Sequence, residues 1–376
     1  MRAPRTVLGL MSGTSMDAVD GVEVRFRGRR LELLRVWSVA YPAALRKRLM
    51  GAASNAATCW ETAALHHDLG RFYADCARRH SSRNGVEAVG LHGQTVFHGP
   101  SQRGAATLQL GEPAYLAREL GVPVVSNFRS ADMAVGGQGA PLATLFHVRV
   151  FARRGRRVCV QNLGGIGNVT SIDCRSRKEP MVQAFDTGPA NLLLDLAMQR
   201  LTAGRRTMDR DGQWAARGCV ADDLVRAWLR HPFFRRPPPK STGREMFGAP
   251  YLNRLWSDMD DRQLGGADRL ATLTEFTARS VALNYRWHLV GVPDEVVLCG
   301  GGAKNPALVR NLEVALHREI PGIRLTRCDA HGWPTQAVEG AAFALLAREC
   351  LMGKPGNLPE TTGARQAVRC GQITHP

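Results

Sequence analysis

Two stretches of the chain pass from an apolar strand into a turn of small residues and back into a strand. Residues 6 to 26 contain the loop "SGTS" at positions 12–15, and apolar alternation resumes at Val22, Val24 and Phe26. Residues 157 to 173, "RVCVQNLGGIGNVTSID", repeat this pattern around a glycine turn. Because the two hairpins lie about half the chain apart, the pattern predicts two similar lobes, residues 1–150 and 151–376.

Helical periodicity fills much of the chain between these hairpins. It predicts helices around residues 60–80 and 112–120, and a short strand at 122–128. In the second half, a strand is expected to end at Phe185, and Pro189 is expected in the first turn of the next helix. "DEVVLCGGGAKNPALVRNLEVAL" predicts strand, glycine loop and helix, and "PTQAVEGAAFALLARECL" predicts the last long helix. The tail after Gly353 is expected to be extended or loose.

Composition restricts the class of protein. The 376 residues are 44% hydrophobic and 22% charged, which is typical of a globular chain with room for two domains. No apolar stretch reaches the length of a membrane span, and no small-residue cleavage site follows the first apolar run. Nine dispersed cysteines without a C-x-x-C pair indicate reduced thiols. We therefore expect a soluble cytoplasmic protein with no membrane partner.

The net charge of +17 comes almost entirely from arginine, and the arginines are scattered in short clusters. One interpretation is a compositional bias on solvated faces, and the other is a surface for nucleic acid or another polyanion. No zinc finger, aromatic RNA-binding signature or leucine zipper accompanies the charge. We therefore expect no nucleic-acid partner.

The small-residue turns point to phosphate chemistry. Successive backbone N–H groups in such a turn face one concavity, where they can hold phosphate oxygens without side-chain bulk. The first turn has Asp17 and Asp20 beside it, and either carboxylate could hold Mg²⁺. The third glycine run, residues 300–302, would suit a nucleoside at a helix N-terminus. An ordinary hairpin turn remains the alternative, since neither the Walker nor the dinucleotide-binding spacing is present.

Acid–base and sugar-binding candidates lie near these turns. Asp186 follows an apolar strand and precedes a helix, so it could act as a general base or as a helix cap. "LHGQTVFHGP" and "SNFRSADMAVGGQGAPL" gather planar polar side chains next to glycines, which suits a sugar, and an arginine there would suit a ligand carboxylate. The segment 231–248 is a long loop, and loops of that length are often functional.

With these motifs in place, the sequence resembles the anhydro-N-acetylmuramic acid kinases of bacterial cell-wall recycling, from about residue 6 to 350. The motifs that carry the resemblance occur in the same order along the chain: "GLMSGTSMDAVDG", "LHGQTVFHGP", "TLQLGEPAYLA", "FRSADMAVGGQGAPL", "NLGGIGNVT", "AFDTGPANLLLD", "DRDGQWAARG", "PPKSTGRE" and "GGGAKN". Their combination is specific to this family, whereas each motif alone would be weak.

The resemblance implies an α/β, two-lobed, actin-like ATPase fold of the sugar kinase, Hsp70 and actin type, with ATP and Mg²⁺ in an interlobe active-site cleft. It implies that 1,6-anhydro-N-acetylmuramic acid is opened by water and phosphorylated on O6, which yields N-acetylmuramic acid 6-phosphate and ADP. It also implies a homodimer, and it makes Asp186 the catalytic base.

Together, the turns and the resemblance assign residues to three kinds of contact. Those assigned to ATP are Gly13, Thr14, Ser15, Met16, Asp17, Ala18, Val19, Asp20, Gly164, Gly165, Gly300, Gly301, Gly302 and Asn305. Those assigned to the sugar are His92, Gln94, Thr95, Arg129, Asp132 and Gln138, and those assigned to the metal are Asp17 and Glu339.

The chain departs from the family pattern at several positions. Ala18 replaces Gly in the first loop, Asn127 and Gln336 replace Asp, and Gly167 and Gly340 replace Ala. Two other functions therefore stay open: a non-catalytic sensor of cell-wall sugars, or a kinase for a different amino sugar without an anhydro bridge. Since Asp186 and both turns are retained, we expect an active kinase.

Overall fold

The computed structural model describes residues 3–13, 15–82, 85–100, 104–175 and 179–376. Up to residue 151 it forms β1 (Thr6–Ser12), β2 (Ala18–Arg27), β3 (Arg30–Ala40), α1 (Ala43–Ala53), α2 (Cys59–His80), β4 (Ala88–Gly99), β5 (Ala106–Leu110), α3 (Pro113–Leu120), β6 (Val124–Ser126), α4 (Ser130–Ala134) and α5 (Thr144–Phe151).

The elements that follow are β7 (Arg157–Leu163), β8 (Ile166–Asp173), β9 (Met181–Pro189), α6 (Asn191–Leu201), α7 (Asp222–Trp228), α8 (Pro232–Arg235), α9 (Arg244–Phe247), α10 (Ala249–Asp260), α11 (Gly266–His288), β10 (Glu295–Cys299), α12 (Pro306–Glu319), β11 (Arg324–Arg327), α13 (Ala337–Leu351), α14 (Pro359–Thr362) and β12 (Gln372–Thr374). They include a mostly helical stretch between β9 and β10. The predicted helices at 60–80 and 112–120 and the last long helix are α2, α3 and α13.

The chain divides into two compact units. The first unit contains Met1–Val150 and Gly332–Pro376, and the second contains Phe151–His331. The boundary near residue 150 coincides with the limit that we predicted between the lobes. The last 45 residues differ from that prediction, because they pack with the first unit and not with the second.

Five strands in each unit form a sheet with the same strand order and directions, and β5 and β12 extend the sheet of the first unit. In the first unit β1, β2 and β3 are antiparallel neighbours, and β4 and β6 continue the sheet parallel to β1. In the second unit β7, β8 and β9 are antiparallel neighbours, and β10 and β11 continue parallel to β7. The mixed sheets with their helices confirm the predicted α/β class.

Close backbone contact joins α13 to the sheet of the first unit. A Cβ atom at Gly9 of β1 would lie 1.8 Å from the carbonyl oxygen of Gly340, and one at Gly90 of β4 would lie 2.2 Å from that of Phe343. Only glycine permits this approach of helix to strand. The helix therefore covers β1 and β4 directly, and it places Glu339 next to the start of β2.

Several helices begin at residues whose side chains bind the first free N–H groups. Thr58 and Glu61 form a capping box at α2, and the side chain of Glu112 accepts from Ala114 N–H at α3, where Pro113 occupies the first turn. Asn305 caps α12 in the same way, ahead of Pro306. These signals explain why the starts of α2, α3 and α12 are encoded locally.

Two expectations about local structure are wrong. β9 continues through Asp186 to Pro189, so Asp186 lies within a strand and Pro189 ends that strand before α6 starts at Asn191. The tail after Gly353 is not loose, because β12 pairs with β6 and the side chain of Cys370 is fully buried.

Two further expectations concern thiols and membrane contact. The nine cysteines are all free thiols, as predicted. Among the described residues, no helix is both long enough and apolar enough to cross a lipid bilayer.

Candidate functional site

The first turn joins β1 to β2 and is held by side chains from elsewhere in the first unit. The amide of Gln94 donates to the carbonyl oxygen of Gly13 at 3.1 Å, and the guanidinium of Arg46 donates to that of Met16 at 3.1 Å. Met16 has φ 54, in the left-handed region that non-glycine residues rarely adopt. Such backbone conformations persist only where surrounding contacts impose them, and they cluster at functional sites.

A triangle of hydroxyl groups lies behind this turn. Tyr41 donates to Ser12 Oγ at 2.7 Å, the hydroxyls of Tyr41 and Tyr73 are 2.7 Å apart, and Ser12 Oγ lies 3.2 Å from the Tyr73 hydroxyl. Burial raises the pKa of Tyr41 far above its usual range and that of Tyr73 to about 12, so both phenols stay protonated. We refer to Ser12, Tyr41 and Tyr73 as the hydroxyl triangle. It fixes the last residue of β1 at the point where the turn begins.

The residues assigned to the first ATP loop occupy different environments. Ser15 donates to Asp17 Oδ1 at 2.6 Å within the turn, while Thr14 lies outside the described residues. Ala18, Val19 and Asp20 already belong to β2. Val19 is fully buried in the core, so only its backbone could contact a nucleotide, and its assignment to ATP stays a prediction. The turn proper therefore ends at Asp17.

Arg129 is the centre of a polar cluster in the first unit. Its guanidinium donates to the carbonyl oxygen of Gly139 at 2.7 Å and lies 2.9 Å from His92 Nε2, while its buried Nε has no partner among the described residues. Desolvation lowers the pKa of Arg129 to about 10, although the nearby Glu339 raises it, so Arg129 is charged at neutral pH. Desolvation and Arg129 lower the pKa of His92 and bring that of His98 to about 4, so both rings are neutral.

Several residues assigned to the sugar bind the protein itself. His92 is buried and orients Arg129, and Gln94 is buried and supports the first turn. Asp132 is buried and accepts from Gly139 N–H, Asn357 and Thr362 at 2.7 Å each, so it ties the 130s loop to the tail. These contacts give His92 and Asp132 partners within the protein, whereas the buried amide oxygen of Gln94 has no partner among the described residues, and direct sugar contact stays a prediction for all three.

The remaining residues assigned to the sugar lie in the same unit. The hydroxyl of Thr95 accepts from Gln109 at 3.3 Å, and the backbone N–H of Gln138 donates to the carbonyl oxygen of Thr362 at 2.8 Å. Both side chains are partly exposed.

The two residues assigned to a metal differ in their neighbours. Both residues are exposed; Asp17 is bonded to Ser15, whereas Glu339 lies beside Asp20 and Arg129. Desolvation and the carboxylate of Asp20 raise the pKa of Glu339, and Arg129 lowers it. Among the described residues, no three His, Cys, Asp or Glu side chains converge on one point. The carboxylate whose charge acts on Glu339 is therefore that of Asp20.

The second turn, Gly164–Gly165, is held by backbone groups of the second unit. Its carbonyl oxygens accept from the N–H groups of Ala190, Asn191 and Leu192 at 2.9–3.1 Å, where α6 begins. The side chain of Asn191 also donates to the carbonyl oxygen of Leu163 at 2.8 Å. The turn therefore caps the helix that follows β9, the strand that carries Asp186.

The third glycine run packs against the strand that leads into the second turn. Gly300 has φ 79, and a Cβ there would lie 2.3 Å from Asn162 Oδ1 and 2.7 Å from the backbone of Leu163. A Cβ atom at Gly302 would lie 2.8 Å from the Cβ atom of Leu163. Asn305, assigned to ATP, accepts from the N–H groups of Ala307 and Leu308 at 3.0 and 3.1 Å. Its side chain is thus a helix cap.

Other glycines have no such steric reason to be glycine. At Gly13, Gly164, Gly165 and Gly301 the nearest described atom to an added Cβ would be 3.5–3.7 Å away, which is ordinary contact, and φ lies outside the left-handed region. The fold itself accommodates a side chain at these positions. A glycine that the fold does not require is consistent with a ligand that approaches the backbone closely.

Asp186 occupies an irregular point of β9. The register places Asn168 opposite Asp186 and Gly167 opposite Gly188, so Thr187 is unpaired, and such a bulge redirects neighbouring side chains. The backbone N–H of Thr242 donates to Asp186 Oδ2 at 2.8 Å. Desolvation and Glu245 raise the pKa of Asp186 to about 7, although Thr242 and Lys240 lower it. A carboxylate with this pKa suits general-base chemistry at neutral pH.

Residues 240–242 are functional candidates that sequence reasoning did not single out. The carbonyl oxygen of Lys240 accepts from Asp186 N–H at 3.1 Å. The buried ammonium of Lys240 donates to the carbonyl oxygens of Phe233 and Phe234. Two signals were available, namely the length of the 231–248 loop and the motif "PPKSTGRE". Neither of them indicated that Lys240 and Thr242 contact Asp186.

Comparison with known proteins identifies the family. The family model described as anhydro-N-acetylmuramic acid kinase matches residues 5–376. A relative named anhydro-N-acetylmuramic acid kinase from Picosynechococcus sp. is 44% identical, with 98% of this chain and 99% of the relative covered. One of the same name from Trichormus variabilis is 42% identical, with 98% and 97% covered.

Solved structures are more distant. A ROK family glucokinase from Streptomyces griseus, solved with glucose and AMPPNP, is 14% identical with a TM-score of 0.42, covering 92% of this chain and 99% of its own. At that TM-score the likeness is remote, so family membership rests on the sequence matches. The chain belongs to the anhydro-N-acetylmuramic acid kinase family.

Proposed function

We propose that this enzyme opens 1,6-anhydro-N-acetylmuramic acid with water and transfers the γ-phosphoryl group of ATP to O6. Water attacks the anomeric carbon, the bond from that carbon to O6 breaks, and O6 forms the new bond to phosphorus as ADP leaves. One proton of the water passes to Asp186, and the products are N-acetylmuramic acid 6-phosphate and ADP. Phosphoryl transfer of this kind requires mainly positioning and charge neutralisation.

The observation that carries this proposal is the environment of Asp186. A general base must be ionised before the reaction and must bind the proton during it, so a pKa near the working pH is favourable. The raised pKa of about 7 meets this condition. Thr242 N–H holds one carboxylate oxygen at 2.8 Å, so the other oxygen is assigned to the proton of the attacking water.

The binding roles follow from the remaining contacts. Gly13, Gly164, Gly165 and Gly301 would let the phosphates or ribose of ATP approach the backbone, since an added Cβ would meet only ordinary contacts. The unpartnered Nε of the charged Arg129 suits the carboxylate of the lactyl group of the sugar. Asp20 and Glu339 would hold Mg²⁺, which neutralises phosphate charge when bound.

The pH dependence of kcat provides one test. Because Asp186 must be deprotonated, kcat should rise with pH up to about 7 and level off above it. The charged groups that act on Asp186 are Glu245, which raises its pKa, and Lys240, which lowers it. Desolvation and the charge of Arg236 in turn lower the pKa of Lys240 to about 8. A kcat that stays constant from pH 5 to 8 would contradict the role of Asp186.

The decisive experiment supplies ATP, Mg²⁺ and the anhydro sugar in ¹⁸O-labelled water. We expect ADP and a 6-phosphorylated sugar with the label at the anomeric carbon. Asp186→Asn should lower kcat by about 1,000-fold or more, because the amide cannot accept the proton. Asp261→Asn, the same change at an exposed residue after α10, is the matched control and should not alter kcat.

A substrate panel separates this proposal from its alternatives. An enzyme for a different amino sugar would phosphorylate N-acetylmuramic acid or N-acetylglucosamine faster than the anhydro sugar, and a sensor would bind sugar without producing ADP. We also propose a homodimer, which the resemblance implies, and a cytoplasmic location, which the composition and the dispersed cysteines favour. Sedimentation equilibrium of the purified chain tests the dimer, and a monomer at micromolar concentration would contradict it.

A further inference from the structure

Thr242 contains an unpaired polar group beside the proposed base. Its side-chain oxygen is buried and has no hydrogen-bond partner among the described residues. Buried hydroxyls in folded proteins are almost always hydrogen-bonded, because leaving one without a partner destabilises the fold. Other buried hydroxyls among the described residues also lack a partner, namely those of Ser81, Tyr251, Thr277 and Tyr285. Thr242 differs from them because its own N–H binds the carboxylate of Asp186, so its hydroxyl is available to a ligand of that carboxylate.

The position of this hydroxyl is fixed by contacts on both sides of Thr242. Thr242 N–H binds Asp186 Oδ2 at 2.8 Å, and the N–H of Asp186 binds the carbonyl oxygen of Lys240 at 3.1 Å. The Lys240 ammonium is anchored to the carbonyl oxygens of Phe233 and Phe234 at 3.3 and 3.2 Å. The segment 240–242 is therefore tied to β9 and to α8 at once, and the hydroxyl belongs to the same residue that touches the carboxylate.

We propose that the Thr242 hydroxyl binds the water that Asp186 deprotonates, which makes Thr242 a further catalytic residue. This inference rests on the proposed function. The water donates one hydrogen to Asp186 and the other to Thr242 Oγ1, so a lone pair of its oxygen is directed at the anomeric carbon. The proton bound by Asp186 passes to solvent after the sugar has opened, and the Thr242 hydroxyl keeps its own hydrogen throughout.

Two substitutions at this position separate the hydroxyl from the rest of the side chain. Thr242→Val keeps the shape and the backbone N–H but removes the hydroxyl, and Thr242→Ser keeps the hydroxyl. We expect Thr242→Val to lower kcat by about 10- to 100-fold, the usual range for a positioned proton-transfer partner, with KM for ATP unchanged. Thr242→Ser should retain kcat within about threefold.

Thermal unfolding and the pH profile provide independent measurements. Because Thr242→Val removes a buried group that lacks a partner, its Tm should equal or exceed that of the wild type, by about a degree or two. The acid limb of kcat should stay near pH 7 in Thr242→Val, because the N–H bond to Asp186 is retained. If Thr242 had a purely structural role, the Thr242→Val variant would show a lower kcat together with a lower Tm.

The outcomes that overturn this inference differ from those that overturn the proposed function. If the wild type forms no 6-phosphorylated sugar, the proposed function fails, and this inference fails with it. If the wild type is active and Thr242→Val stays within twofold of it, only the role of Thr242 fails. Equal losses of kcat in both variants, a lower Tm in Thr242→Val, or a shifted acid limb would also overturn it.

Discussion

The two hairpin turns belong to sheets of one topology, yet different kinds of contact hold them. The first turn, which runs from Gly13 to Asp17, is held mainly by side chains: Gln94 and Arg46 donate to its carbonyl oxygens, and the hydroxyl triangle fixes its start. One backbone bond, from Tyr41 N–H to the carbonyl oxygen of Asp17 at 2.9 Å, adds to these contacts. The second, Gly164–Gly165, is held by the backbone N–H groups at the start of α6. Side chains thus provide most of the contacts at the first turn, whereas backbone groups of α6 provide those at the second.

This difference determines which other parts of the protein a substitution in each turn affects. Side chains that hold the first turn can change one at a time without moving a helix. The second turn caps α6, and α6 follows directly on β9, which carries Asp186. We therefore expect changes in the first turn to act on nucleotide affinity alone, and changes around the second turn to affect Asp186, the proposed catalytic base.

The largest expected effect tests the support of the second turn. Gly300→Ala would force a left-handed φ on a residue with a side chain and would place its Cβ against Asn162 and Leu163. The backbone strain and overpacking should together lower the free energy of unfolding by about 3 kcal/mol. Chemical denaturation measures this change. Gly301→Ala, where the nearest atom would be 3.6 Å away, is the matched control and should unfold like the wild type.

An intermediate effect compares the two turns directly. Gly13→Ala and Gly165→Ala should each leave the free energy of unfolding within about 0.5 kcal/mol of the wild type, because an added Cβ has room. Each should raise KM for ATP about tenfold, which corresponds to about 1.4 kcal/mol. Only Gly165→Ala should also lower kcat. Steady-state kinetics at varied ATP measures both constants, and an equal effect on kcat in the two variants would remove the distinction.

The smallest expected effect concerns the hydroxyl triangle. Tyr41→Phe removes the hydroxyl that donates to Ser12 and should lower the free energy of unfolding by about 1 kcal/mol, with kcat nearly unchanged. Tyr115→Phe removes a hydroxyl at the surface that lies 3.2 Å from His67 Nδ1, and it serves as the control. A drop in kcat larger than tenfold in Tyr41→Phe would show that the triangle does more than support the turn.

Local signals made much of the fold predictable. The capping box at Thr58, the proline and Glu112 at α3, and the long alanine- and leucine-rich run of α13 act within a few residues, so their elements could be found from sequence. The order of the tail has no local signal, because β12 is stabilised by pairing with β6, which is remote in sequence.

The candidate site was harder to predict than the fold for the same reason. Asp132 sits among glycines like a ligand-binding residue, but its partners Asn357 and Thr362 come from the other end of the chain. Thr242 contacts Asp186 across 56 residues, a distance over which a single sequence carries no pairing signal.

The return of residues 332–376 to the first unit has a consequence for synthesis on the ribosome. Helix α13 covers β1 and β4, which are among the first strands translated. The apolar face of that sheet stays uncovered until residue 351 has left the exit tunnel, whereas the second unit is complete at residue 331. The second unit can thus fold before the first unit, although the first unit is begun earlier. A nascent chain stalled near residue 331 would expose the apolar face of the sheet of the first unit, which favours aggregation.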